Sequence, residues 1–452
     1  MRIIEKTITI PAWDRDSGLL DHFGAGLGFH LKDNEIPIRL AVTDQDENHL
    51  NCEIGVITDA PSHIARRAAD LFEFRKRQVE SVEKFNAVLL VPTGIGAEIG
   101  GHAGDATAVA RMVAESCDEL VLHPNVVNAS DINELPDNAL YVEGSIITRL
   151  IMGAIGLQKT RANRVLVVLD DHQDAHFVTA AVNSVSASRA TFGMDCPEVV
   201  CLNPPIQMWA EYSDSGSAVG RVEGLEHCLD VLERAADDYD AVALSSIIKV
   251  PYSYHADYFK SAGKMINPWG GVEAMLSHAI SSILNVPTAH SPMLESLDIE
   301  RIEPGIVEPR LSAEAVSTSF LQCILKGLHQ SPRIVLDESL FVRADVFSVE
   351  DVSCLIIPDG CLGLPTIAAL EQGIHVIAVR ENTNLMRNDL TRLPWRKGQF
   401  IQVESYLEAV GAMNALKAGV SLESVCRPIS ATKVRKSVQA ADMTNKVQAA
   451  SS

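Results

Sequence analysis

VLLVPTGIGAEIGGHAGDATAVARMVA, residues 88–114, opens as a buried strand, crosses five glycines and closes as a helix. An apolar run feeding a glycine turn and then a 3.6-period segment is the strand–turn–helix unit of an α/β fold. The turn carries Thr93, Glu98, His102 and Asp105 on a backbone otherwise stripped of side chains. Either the chain bends tightly there or something is bound there. A polar set among glycines, at the end of a buried strand, points to a ligand.

The same alternation continues on both sides. Downstream, DELVLHPN, NRVLVVLDD and EVVCLN read as strands, with helices between them. IQMWAEYSDSGSAVGRVEG reads as a loop or boundary, and a second alternating run follows it, ending in SCLIIPDGCLGLPTIAALEQGIHVIAV. The expected fold is α/β, with two Rossmann-like, mainly parallel sheet halves, residues 85–220 and 221–426, around a central cleft. Upstream, residues 1–84 read as a small β-rich extension whose charged stretch 61–84 is a helical connector. Residues 427–452 read as a frayed polar tail.

The 452 residues are 47% hydrophobic, and Lys+Arg 38 against Asp+Glu 59 give a net charge of −21. That field repels nucleic acid and anionic membrane, so neither is an expected partner. The nine cysteines form no CxxC pair, and the start MRIIEKTITIPAWDRD alternates like a strand rather than a leader. Reduced thiols and a cytoplasmic location are therefore expected, in a homo-oligomer.

Within the turn, Gly94, Gly96 and Gly100 make a GxGxxxG after a strand. A dinucleotide site also needs a carboxylate at the end of the next strand, where this chain has His123 and Asn125. A general anion cradle fits better, with Thr93, Gly94, Gly96, Glu98, Gly100 and Gly101 approaching a small anionic metabolite. Asp105 fits the cap of the following helix. His102, His123, Asn125 and Glu143 follow strand ends on one side of a parallel sheet, so they could surround one cleft with the turn.

A second glycine turn holds Gly360, Cys361, Gly363 and Thr366, with Pro365 suited to start a helix and Gly373 to stop it. A thiol at a helix N-terminus ionises more easily, which makes Cys361 a candidate nucleophile; a small buried residue is the equal alternative. Ser245, Ser246, Lys249, Trp269 and His290 follow other strands and add candidate contacts. Asp170, Asp171, His172, Asp174 and His176 are of types that suit a divalent metal, without a recognised ligand spacing, so no cofactor is favoured.

The blocks PTGIGAEIGGHAGDA, HPNVVNAS, YVEGS, NPWGGVEAMLSHAISS and PDGCLGLPTIAALEQG, in that order, resemble a bacterial and plant family catalogued as domain of unknown function 3326. The resemblance runs from about Phe85 to Arg387 and implies no activity or catalytic residue. DAVALSS followed by VPTAHSP is similar, at the level of fold, to aspartate/glutamate racemases, with Ser245 and Ser246 where that group has a cysteine. CLGLPTIAALEQGIHVIAV is similar in the same sense to two-domain glycosyltransferases and epimerases. The expectation is an enzyme, an isomerase or lyase acting next to a carboxylate, with Cys361 assisted by His102, His123 or His290. A sugar-nucleotide transferase or epimerase, and a metabolite sensor without turnover, are the alternatives.

Overall fold

The stretch 88–114 does begin in a parallel sheet. A computed structural model describes residues 1–13 and 17–435; the tail expected from 427 lies outside the described residues beyond 435. Strand Asn86–Leu89 sits inside a six-stranded sheet between Cys354–Pro358 and Glu119–Leu122. His375–Val379 and Phe400–Val403 extend it on one side and Ala139–Tyr141 on the other, every pairing parallel. NAVL, ELVL and CLIIP are buried along their whole length, as strands covered on both faces must be. Helix Leu364–Gln372 has Pro365 in its first turn and Gly373 closing it in the left-handed conformation, both as the sequence predicts.

The second sheet is larger and mixed. Its ten strands include a parallel group, Val199–Leu202, Val165–Asp170, Ala241–Lys249 and Thr288–Met293. From Ala241–Lys249 the sheet passes through Gln207–Tyr212 and then turns antiparallel: Ala218–Glu223, Arg2–Pro11, His49–Thr58 and Ile36–Gln45. The chain is thus mixed α/β, but its sheets are not two similar halves. The expected boundary at 220/221 falls inside strand Ala218–Glu223, whereas 84/85 lies where the chain passes from the larger sheet, after His49–Thr58, to the six-stranded one at Asn86–Leu89.

Three local expectations also change. The strands of the N-terminal stretch are not an appendage, because Arg2–Pro11 pairs on both sides within the larger sheet. The expected loop 206–224 is a hairpin, with Gln207–Tyr212 against Ala218–Glu223. The expected helix 61–84 is helical only at Ser62–Ala65. Its charges serve tertiary anchors instead: Arg75 reaches Glu350 at 3.0 Å, and Arg77 donates to the carbonyls of Val352 and Gly373.

Helix Gly270–Leu284 presses against the hairpin strand Ala218–Glu223 with a buried face of Val272, Met275, Leu276, Ala279, Ile280 and Ile283. Burying each of the larger side chains, Val272, Met275, Leu276, Ile280 and Ile283, contributes roughly 1.5–3 kcal/mol. The chain from Asn414 forms a separate compact unit whose described part holds the short helix Leu422–Val425. Among the described residues no helix is long and apolar enough to cross a membrane.

Candidate functional site

A cavity of about 370 Å³ is lined by residues just past four strands of the six-stranded sheet. Thr93, His123, Glu143 and Cys361 come from these carboxyl ends, where α/β folds place ligands. The larger sheet adds Leu40 and His290, and helix Gly270–Leu284 adds Glu273 and His278.

Two histidines in this wall are each held by one carboxylate. Glu143 caps helix Gly144–Ile151, accepting the amides of Ser145 at 2.8 Å and Ile146 at 3.1 Å and the Ser145 hydroxyl. Its Oε2 lies 3.0 Å from His278 Nε2. Gly144 makes that approach possible, since a Cβ there would stand 3.1 Å from Nε2. Burial alone would raise the Glu143 carboxyl, but His278 and these hydrogen bonds outweigh it and hold it below the usual range. In the second pair, His290 Nδ1 lies 3.0 Å from Glu273 Oε2, with the His290 side chain only 1% exposed.

Each pairing fixes a tautomer and leaves one ring nitrogen over. His278 Nδ1, His290 Nε2, His255 Nε2 and Ser291 Oγ, all on cavity residues, are buried without a hydrogen-bond partner. Buried polar atoms are normally satisfied, so four orphans around one cavity mark a place built for a ligand. His123 differs: its Nε2 accepts the Val91 amide at 3.0 Å. Burial, with the charge of His278, pushes it down to about 3, so it stays neutral at physiological pH.

Of the residues expected from the sequence, Thr93, His123, Asn125, Glu143, Trp269, His290, Cys361, Gly363 and Thr366 line this cavity. Gly94, Gly96, Glu98, Gly100, Gly101, His102, Asp105, Ser245, Ser246, Lys249 and Gly360 are not among its lining residues. The glycine turn is a tight bend rather than an open cradle. A Cβ on Gly101 would lie 2.0 Å from the Ala97 carbonyl oxygen, and one on Gly94 2.5 Å from that of Ala218. Its amides are engaged inside the chain: Glu98 donates to the Thr383 carbonyl, Ile99 to Asn382, Gly100 to Asp105 and Ala103 to Glu314. Glu98 itself pairs with Arg310 at 3.0 Å. His102 bridges the Tyr258 hydroxyl at 2.8 Å and the Gly263 carbonyl at 3.3 Å. Lys249 reaches Gln207, and the hydroxyl of Ser246 lies by Asp170.

Asp105 does not cap helix Thr107–Ala114, which has no side-chain cap. It accepts the Gly100 amide at 2.6 Å, and its other oxygen is buried and unpartnered. Burial outweighs that hydrogen bond and raises the carboxyl from an ordinary 3.8 to about 7. The native state therefore holds a proton that the unfolded chain releases, and folding weakens as pH rises through that window. Asp105→Asn should gain on the wild type by about 1–3 kcal/mol between roughly pH 4 and pH 7 and level off above. Parallel melting curves for the two proteins across that range would contradict this.

Cys361 lies beside the N-terminus of helix Leu364–Gln372, yet burial and then Asp359 push its thiol well up rather than down. It lines the cavity as a protonated thiol. The acidic stretch after Val165–Asp170 is used locally: Asp174 caps helix Ala175–Phe192, and His176 meets Glu300 at 2.9 Å. Among the described residues no three His, Cys, Asp or Glu side chains come together as metal ligands.

His255 and Ser291, which follow strands in the sequence, also line the cavity, and Glu273, His278 and Glu314 complete the wall without having been singled out by sequence. Glu273 and His278 interrupt an apolar helix, and that polar intrusion was the available signal. The lining includes one permanent cation, Arg39, whose Nη2 already lies 3.4 Å from Glu5 and 3.3 Å from Glu53. This charge balance does not favour the anionic ligand expected from the sequence.

Residues 86–426 match the family described as "Protein of unknown function (DUF3326)". The chain belongs to this family. An uncharacterized lipoprotein of Synechococcus sp. is 34% identical over 344 residues, 74% of this chain and 91% of its own length. No solved structure matches. Both histidine–carboxylate pairs and all four orphan atoms fall within the stretch that matches the family.

Proposed function

We propose that this member of the family is an acid–base enzyme of isomerase or lyase type, moving a proton on a small metabolite held between His278 and His290. The observation that carries this reading is the matched pair of imidazoles, each oriented by a carboxylate and each left with one unpartnered ring nitrogen on a shared cavity. A neutral imidazole so held presents a lone pair that can take a proton from carbon, and the carboxylate behind it stabilises the imidazolium that forms. The second imidazole, across the cavity, is the group placed to return a proton elsewhere on the substrate. Glu143 and Glu273 act as positioning residues. The raised Cys361 thiol fits a hydrogen-bond donor better than a nucleophile.

The test is deuterium wash-in. Purified full-length protein is incubated in heavy water with a metabolite extract, and mass spectrometry follows gain of carbon-bound deuterium. The proposal expects one metabolite, or an interconverting pair, to gain a deuteron only when protein is present. A ligand that binds and gains none would favour a sensor without turnover.

A further inference from the structure

The wall around the first turn of helix Gly270–Leu284 is organised for positive charge. Glu314 Oε1 accepts three hydrogen bonds: the Ala103 amide at 2.9 Å, the Tyr258 hydroxyl at 3.2 Å and Asn267 Nδ2 at 3.2 Å. Asn267 Oδ1 in turn accepts the amides of Trp269 at 3.0 Å and Gly270 at 3.2 Å. One turn on, the Glu273 amide donates to the Trp269 carbonyl. Trp269 precedes Glu273 by one helical turn, and its indole and the Glu273 and Glu314 carboxylates line the same cavity. The proximity of the two carboxylates is unfavourable: after burial, the charge of Glu273 is among the influences that push Glu314 up to about 7.

Among the described residues no hydrogen bond reaches Glu314 Oε2 or Glu273 Oε1. His290 Nε2 and Ser291 Oγ, on side chains that are fully enclosed, also lack partners. All of these residues line the one cavity, whose lining includes no lysine and whose single arginine is engaged. An ammonium group has three donors and no acceptor, and it is attracted both to carboxylates and to the face of an indole. That is the complement of what this wall offers.

We propose that the ligand is a protonated amine. Its ammonium group sits between Glu273 and Glu314 beside Trp269, and its apolar body lies along Leu90, Ile95 and Leu364. This rests on the acid–base reading in one respect only: it puts the carbon next to the nitrogen within reach of His290.

The experiment is heat unfolding of the full-length protein with hexylamine, hexanoate or hexanol as probes, each at about 20 mM and matched ionic strength. Hexylamine is expected to raise the Tm by about 2 °C or more, and the other two to leave it unchanged. Glu273→Gln and Glu314→Gln should each lose that shift. Asp105→Asn, which neutralises a buried carboxyl outside the cavity lining, should keep it. A shift with hexanoate, no shift with any probe, or an amine shift that survives both glutamine variants would overturn the proposal. The two readings fail separately. Wash-in without an amine shift removes the ligand class alone, and an amine shift without wash-in removes the chemistry alone.

Discussion

His290→Gln is expected to slow deuterium wash-in by about 10²–10⁴-fold while the protein still folds. Glutamine can keep a donor toward Glu273, which His290 now meets at 3.0 Å, so the strand Thr288–Met293 retains its local partner. What it cannot do is accept and release a proton near neutral pH. Glu273→Gln should fall less, by about 10–100-fold, because the imidazole remains and loses only the carboxylate that orients it. Melting curves of both variants within a few degrees of the wild type would separate loss of chemistry from loss of fold. Wild-type wash-in by His290→Gln would remove this residue from the reaction.

Gly271→Ala should have the largest effect on the fold. A Cβ at this position would lie 1.9 Å from the Ala218 carbonyl oxygen and 2.4 Å from its carbon. Ala218 begins a hairpin strand paired with Gln207–Tyr212, and further along the same strand is held by Arg2–Pro11. The Ala218 amide is also tied to the Gly94 carbonyl at 2.8 Å. The strand therefore has little room to retreat, and the helix must move instead. That displacement would carry Glu273 and His278 away from His290 and Glu143. A loss of at least about 4 kcal/mol is expected, in the range of severe backbone overlap, with failure to fold as the extreme. Denaturant unfolding and soluble yield measure it; a variant within about 1 kcal/mol of the wild type would mean that the helix is not seated against this strand.

The strand–turn–helix units were legible because they are local. The stretch 88–114, the helix opened by Pro365 and closed by Gly373, and the apolar strands around Cys354 all write their structure in consecutive residues. Partner choice is not local, and so Arg2–Pro11 could be read as a strand but not as one deep in the larger sheet. The hairpin Gln207–Glu223 was hidden by its small residues: Ala210, Ala218 and Gly220 pack inward without a strong alternation. The charged stretch 61–84 carried a helical period, but its arginines find their partners hundreds of residues away. At the site, residues at strand ends were legible as a group, which brought in His123, Glu143 and His290. Their roles were not. Cys361 looked activated because the sequence shows a helix start and not the burial that opposes it. The glycine turn looked like a cradle because sequence shows free amides and not the side chains that already occupy them.

The measurement that bears most directly on the central claim is a crystal structure of His290→Gln grown with the metabolite identified by wash-in. Removing one proton carrier should let the substrate accumulate unreacted. The account predicts that molecule inside the cavity, with the carbon that exchanges about 3–3.5 Å from His278 Nδ1 or from the place vacated by the His290 ring. A metabolite bound outside this cavity, or inside it with both positions more than about 6 Å from the exchanging carbon, would contradict it.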